Sequence, residues 1–208
     1  MRLLVPLILL LVNLQSLVFA QQQSNTIEKI SFNVFLNKKQ VGTHVFVIER
    51  KGQNIGVESN MQLKGRFWGL VPFKYTHQST EQWKNGCLIN LESQTLKRGK
   101  TINISAAIGQ SGLAIVNANK TDVIEGCTKS FAYWDFSKLQ GNQLLNTEDG
   151  KLIDVAIETS NDQDGGGKTL IIRSSEADIK LQYDANGQWL SLKSNLDVGG
   201  LLHYIRQQ

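Results

Sequence analysis

The stretch Tyr75–Leu88 (YTHQSTEQWKNGCL) decides how the fold is read. If it is a strand, it has two faces, because successive side chains of a strand point to opposite sides of the sheet. The even-numbered positions from Thr76 to Lys84 are uniformly polar and belong in water. The stretch therefore predicts a half-buried strand that turns a histidine and a glutamate inward beside two aromatic rings. The inward face is Tyr75, His77, Ser79, Glu81 and Trp83.

The residues after this strand predict a hairpin. We expect a three-residue loop over 84–86, which sets Trp83 opposite Cys87 and Glu81 opposite Ile89. This register keeps the inner face apolar across both strands. A two-residue loop would turn the next apolar residues outward, since a shift of one residue exchanges the two faces of a strand.

The rest of the chain repeats this alternation, with turn residues about every 8–12 positions. We predict an all-β fold: an antiparallel meander over residues 21–208, curled into one barrel or half-barrel domain. The apolar segment 67–73 contains Gly69 and Pro72 and reads as a loop or bend. Segment 128–140 reads as one short helix or an aromatic segment. The other predicted strands are 30–36, 41–50, 55–64, 87–97, 101–108, 113–117, 152–159, 169–173, 178–183, 188–194 and 201–206.

The N-terminus has the pattern of an export signal. Arg2 precedes an apolar run, and small Ala20 precedes three glutamines. We predict a signal peptide over residues 1–20, cleavage after Ala20, and a periplasmic or secreted protein. Removing Arg2 leaves 21 Lys and Arg against 18 Asp and Glu, a net charge of +3. No single element carries a basic cluster, so we predict no binding to nucleic acid.

Two cysteines, Cys87 and Cys127, are predicted to form a disulfide. An exported chain folds in an oxidising compartment, where pairing of two cysteines is the default. A reactive thiol pair is the alternative, but it normally uses Cys-x-x-Cys spacing, and these residues are far apart.

His77 and Glu81 are the most informative polar residues, because a buried glutamate is costly unless it is paired or hydrated. They lie roughly 13 Å apart along one strand at about 3.3 Å per residue, so each needs its own partner. Hydrogen bonding within a packed core is one reading, a polar-bottomed ligand pocket the second, and acid/base chemistry with His44 the third. The histidines lack metal-ligand spacing, so we predict no metal and no cofactor.

The candidate ligand-binding set combines this strand with two apolar segments. Segment 67–73 reads as a core crossover or as an exposed lip that meets a hydrophobic ligand or, transiently, a membrane surface. A Cys87–Cys127 bond would hold the aromatic run of segment 128–140 near Trp83. The candidate ligand-binding residues are Phe67, Trp68, Phe73, Tyr75, His77, Glu81, Trp83, Tyr133 and Trp134.

Several blocks of the sequence together resemble a known family. They are Gly42-x-His44, Tyr75-x-His77-x-x-x-Glu81-x-Trp83, Gly86-Cys87-Leu88, Cys127 with Ser130-Phe-Ala-Tyr-Trp-Asp135, Leu144-Leu145-Asn146, and Gly150. This order is similar to exported bacterial proteins grouped as a domain of unknown function, the DUF6134 group. The resemblance implies a periplasmic all-β protein and carries no activity. A looser likeness to half-barrels that carry lipids or lipoproteins is an analogy of fold only.

Three functions are consistent with these observations. The first is a non-enzymatic binding protein for a hydrophobic small molecule or lipid. The second is an envelope enzyme that uses His77 as acid/base, with Glu81 or His44 orienting it. The third is a structural or assembly protein of the envelope that presents a sheet edge or aromatic surface to a partner.

Overall fold

The computed structural model describes residues 25–67, 70–118, 120–162, 166–196 and 200–208, and only the backbone of Phe67. The predicted signal peptide lies outside these residues. The described residues form fourteen strands and a single 3-10 turn at Phe136–Lys138. The strands are β1 Asn25–Leu36, β2 Lys39–Lys51, β3 Asn54–Phe67, β4 Val71–Lys84, β5 Cys87–Lys97, β6 Lys100–Ile108, β7 Leu113–Asn117, β8 Lys120–Ile124, β9 Gln143–Leu145, β10 Leu152–Asn161, β11 Lys168–Ser174, β12 Asp178–Tyr183, β13 Trp189–Asn195 and β14 Leu201–Arg206.

All strands belong to one antiparallel sheet, which confirms the predicted meander. Strands that are neighbours in the sequence pair with each other, except β8 and β9, and the first strand also pairs with the last: Val34 lies opposite Tyr204. The strand order places β8 and β9 at the two edges. The sheet is therefore an open, barrel-like sheet rather than a closed barrel.

The segment between β8 and β10, residues 125–151, which includes the short edge strand β9, crosses the concave side of the sheet. Trp134 packs edge-on against Trp83 of β4, with ring centroids 5.7 Å apart. Tyr133 packs against Trp189 of β13 at 5.6 Å. This crossing segment therefore contacts both halves of the sheet. It contains the predicted aromatic segment 128–140, in which the described helical structure is the 3-10 turn at Phe136–Lys138.

The predicted disulfide is present and fixes the start of the crossing segment. Cys87 and Cys127 are bonded, with Cα atoms 5.1 Å apart. Beside this bond, the Leu88 N–H donates to the Thr128 carbonyl at 2.9 Å. The first residues of the crossing segment are thus held against the β4–β5 hairpin.

The predicted register of the β4–β5 hairpin is wrong, and the predicted inner face of β5 is right only in part: Leu91 is buried as predicted, but Leu88 is buried in place of Ile89. Lys84 pairs with Cys87 across a two-residue turn, and both turn residues have positive φ. A β-bulge at Trp83 then shifts the pairing, so that Glu81 lies opposite Leu91. The extra residue of the bulge returns Leu91 to the inner face, which is why a short loop and an apolar inner face coexist.

Three other sequence-based assignments need correction. Residues 71–73, which were predicted as part of a bend, belong to a strand, because β4 begins at Val71 and includes Pro72 near its start. The short edge strands β8 and β9 were not predicted, since β8 is largely exposed and β9 has only three residues.

No helix among the described residues is long and apolar enough to span a bilayer.

Candidate functional site

The inward face predicted for β4 is buried. His77 is 5% exposed and Glu81 6% exposed, and Trp83 is fully buried at the end of the strand. Their even-numbered neighbours are exposed or half-buried. The alternation of the sequence therefore places both ionisable side chains inside the sheet, where each one has separate partners.

Glu81 links the sheet to the crossing segment. Its Oε2 accepts a hydrogen bond from Trp83 Nε1 at 2.8 Å and another from Ser130 Oγ at 3.0 Å. Burial raises the pKa of the Glu81 carboxyl, and the two hydrogen bonds oppose that rise. Because both donors bond to the same oxygen, Glu81 has a structural role: it anchors the crossing segment to β4.

His77 is held between two hydroxyl groups. Its Nδ1 lies 2.9 Å from Thr95 Oγ1, and its Nε2 lies 3.3 Å from Thr147 Oγ1 of the crossing segment. Burial lowers the pKa of His77, and the negative charge of Glu148 opposes this. The imidazole is consequently neutral at pH 7, and its two ring nitrogens hydrogen-bond to the hydroxyl groups of Thr95 and Thr147.

His44 has one bonded and one unbonded ring nitrogen. Nε2 lies 2.7 Å from Ser59 Oγ, whereas Nδ1 is buried without a hydrogen-bond partner among the described residues. Burial, followed by the charge of His77, lowers the pKa of His44 to about 3. A buried nitrogen without a partner indicates a place where a water or a ligand can bind.

These residues surround a polar inner cavity of about 220 Å³. Five of the predicted candidate residues line this cavity. Trp83 is also a candidate, but it does not line the cavity and instead packs against Trp134, which does. Among the described residues, the side-chain hydrogen-bond partners of the two imidazoles are hydroxyl groups, and neither Glu81 nor another carboxylate bonds to them. The predicted residues that line this cavity are His44, His77, Glu81, Tyr133 and Trp134.

An apolar cavity of about 340 Å³ adjoins the polar one, since Met61 and Glu148 line both. Phe73 and Tyr75 are the predicted candidates found here. The hydroxyl of Tyr75 is buried and forms no hydrogen bond of normal geometry, although Glu148 is close enough for its charge, after burial, to raise the pKa of Tyr75. The other residues that give this cavity its apolar lining are Leu36, Val41, Leu63, Leu196, Leu202 and Tyr204.

Cations lie at the mouth of the apolar cavity, and the sequence analysis missed them. Lys74, Lys97 and Arg98 border it, and Lys97 Nζ lies 3.3 Å from Glu148 Oε2. Arg98 adopts a positive φ of 53° in the β5–β6 turn. The alternation of β5 was a usable signal, because it directs Lys97 to the same face as Thr95.

Two of the predicted ligand-binding positions cannot be placed relative to either cavity. Nothing is described for Trp68 or for the side chain of Phe67, so the prediction for these two residues lies outside the described structure. Among the described residues, no three His, Cys, Asp or Glu side chains cluster as metal ligands would.

Comparison with known proteins places the chain by fold and family. No protein of curated function matches the sequence significantly. The chain is similar to the crystal structure of a beta-barrel-like protein of domain of unknown function DUF1849 from Brucella abortus. The TM-score is 0.62 at 7% identity, over 89% of this chain and 98% of the other. This likeness concerns the fold alone. The family described as Domain of unknown function (DUF6134) matches residues 32–207, and the chain therefore belongs to that family.

Proposed function

We propose that the protein is an exported, non-enzymatic binding protein for an amphipathic molecule with a hydrocarbon chain and an acidic head. The observation that supports this most directly is the apolar cavity with three cations at its mouth. A volume of about 340 Å³ lies within the roughly 300–1,000 Å³ of small-molecule sites. An apolar cavity with a few polar groups at one end suits a molecule with the same two parts.

The hydrocarbon chain occupies the apolar part of the cavity. Leu36, Val41 and Leu63 supply one wall from β1–β3, and Leu202 and Tyr204 supply another from β14. Burying an apolar chain against these side chains contributes about 25 cal/mol per Å² of surface removed from water.

The acidic head binds at the mouth of the cavity. Lys74, Lys97 and Arg98 carry three positive charges against the single negative charge of Glu148, so the mouth has a surplus of two. The buried hydroxyl of Tyr75, which lies beside Glu148, supplies a donor to the head once the head takes the place of Glu148. An incoming carboxylate or phosphate takes the place of Glu148 on Lys97, because that ion pair is partly exposed and weak.

The polar inner cavity holds the water that the site needs. The unbonded Nδ1 of His44 and the hydroxyls around His77 are fixed hydrogen-bonding groups at its wall. Ordered water in such a cavity keeps these groups satisfied when the apolar chain fills the neighbouring space.

The test is titration of the exported protein with a fluorescent long-chain fatty acid and with the corresponding alcohol. We expect the acid to bind more tightly than the alcohol. Leu202→Trp fills the apolar cavity and should abolish binding of both. Leu190→Trp is the matched control, since Leu190 is exposed on the neighbouring strand and lines neither cavity.

The head is tested with a second pair of variants. Lys97→Gln should weaken binding of the acid and leave binding of the alcohol unchanged, and Lys84→Gln, at the opposite end of the sheet, should change neither. If Leu202→Trp is folded by near-UV circular dichroism and still binds the fatty acid normally, the cavity is not the binding site and the proposal is wrong.

A further inference from the structure

Three hairpin turns at one end of the strands have sequences whose only charged residues are Lys and Arg. They are the β1–β2 turn, the β3–β4 turn and the β5–β6 turn, with the strand ends beside them. The sequence of these ends, 36–41, 62–76 and 95–102, contains no Asp or Glu. We call this surface the basic rim; its cations are Lys38, Lys39, Lys64, Arg66, Lys74, Lys97, Arg98 and Lys100.

The strand register brings like charges together on the basic rim. Lys64 lies directly opposite Lys74, and Lys97 lies directly opposite Lys100. Like charges in this position destabilise a sheet. Among the described residues, only Lys97 of these four is paired with a carboxylate, that of Glu148. The concentration of unpaired positive charge indicates a surface that meets an anionic partner.

Exposed apolar side chains lie within the same rim. Leu70, directly before β4, is 80% exposed, and Val71, the first residue of β4, is 53% exposed. Leu201 of β14 is 39% exposed, and its backbone bonds to Asn37 in the β1–β2 turn. Apolar tips surrounded by Lys and Arg have the composition of a surface that lies in the interface of a bilayer, with apolar groups among the acyl chains and cations at the headgroups.

We propose that the basic rim docks on a lipid bilayer with anionic headgroups, with Leu70 and Val71 inserted. A second copy of this chain does not fit, because two such rims repel each other. A nucleic acid would use the cations but leaves the apolar tip without a role. This inference goes beyond ligand binding, but the mouth of the apolar cavity lies at the same rim, at Lys97 and Arg98, so docking also presents that mouth to lipid.

Co-sedimentation with vesicles tests the proposal. The exported protein is mixed with phosphatidylcholine vesicles and with phosphatidylcholine vesicles that contain phosphatidylglycerol. We expect binding to the second kind only, weakening as salt rises. The triple variant Lys64→Ser, Arg66→Ser, Lys100→Ser should lower the partition coefficient about 100-fold, or about fivefold per cation.

The matched control removes three lysines from the other end of the sheet. Lys29→Ser, Lys51→Ser, Lys84→Ser changes the net charge equally and should leave vesicle binding within about twofold, because screening confines each contribution to about a Debye length. The apolar contribution is measured with Leu70→Ser, Val71→Ser, which keeps the charge and should lower binding about tenfold.

Equal binding to both kinds of vesicle, or an equal loss in the control triple variant, would overturn the proposal. Tight binding to an oligonucleotide but not to vesicles would assign the rim to nucleic acid, and concentration-dependent dimerisation would assign it to a second copy. None of Lys64, Arg66, Leu70, Val71 and Lys100 lines the apolar cavity. The rim variants should therefore bind the fatty acid normally, and failure of docking is distinguishable from failure of the ligand site.

Discussion

Replacing Glu81 with glutamine should remove a pH-dependent loss of stability. Burial raises the pKa of this carboxyl above its ordinary value of 4.5. The neutral form is therefore the one that the folded protein favours. Glutamine is neutral at every pH, and its amide oxygen can accept the same bonds from Trp83 and Ser130 that Glu81 accepts now. The variant keeps the anchor and removes the titration.

The sign and size of the effect follow from proton linkage. Above pH 4.5 the unfolded chain releases the proton of Glu81, while the folded protein retains it, so the folded state binds more protons. The stability from neutral Glu81 is fully present below pH 4.5 and is lost as pH rises through the raised pKa. For one group, the loss has a maximum slope of about 1.4 kcal/mol per pH unit.

Urea unfolding of both proteins between pH 4 and pH 8, with the disulfide intact, measures this difference. The unfolding free energy of the wild type relative to Glu81→Gln should fall as pH rises and then level off once the folded carboxyl ionises. Glu92→Gln, at an exposed position of the next strand, is the matched control for exchanging a glutamate for glutamine. A flat difference for Glu81→Gln, or one that rises with pH, refutes the reasoning.

Three further perturbations have expected outcomes. Replacing Cys87 and Cys127 with serine opens a loop with a sequence separation of 40 and should lower the unfolding free energy by about 4 kcal/mol; an unchanged urea midpoint would contradict this. The pKa of His44 is lowered to about 3, so the wild type loses stability as pH falls below 6.5. His44→Gln should make that loss shallower by up to about 1.4 kcal/mol per pH unit, with no change in slope between pH 7 and 8. Gly42→Ala places a Cβ 1.9 Å from a backbone oxygen of β3 and should cost at least about 2 kcal/mol. Gly56→Ala, where a Cβ meets no atom within 4 Å, is its control in thermal unfolding and should shift stability by less than about 0.5 kcal/mol.

The faces of β4 were predictable, but the register of its hairpin with β5 was not. Alternation in β4 was enough to place His77 and Glu81 inside, because one face of that strand has no apolar residue. The register depended on the turn and on the bulge at Trp83. A bulge has no distinct sequence pattern. Its extra residue allows a two-residue turn and an apolar inner face to occur in the same hairpin.

Alternation could have placed Lys97 on the inner side of β5, but no single element predicts that three cations lie together. No strand contains a basic cluster, and Lys74, Lys97 and Arg98 become neighbours only when two hairpins lie side by side. Glu148 comes from the crossing segment, far away in sequence, and its position depends on how that segment enters the sheet. The disulfide was predictable because only two cysteines were available to pair.

The pairing of the first strand with the last has a consequence for how the chain is made. Phe32 of β1 lies opposite Arg206 of β14, so the centre of the sheet joins the two ends of the chain. A chain is synthesised from its N-terminus, so β14 is made long after β1. Both meanders can form from local hairpins as they are made, but the seam between them closes only once β14 is available. Contacts so distant in sequence slow folding, and until the seam closes, the exposed edge of β1 is the part of the chain that most needs protection from aggregation.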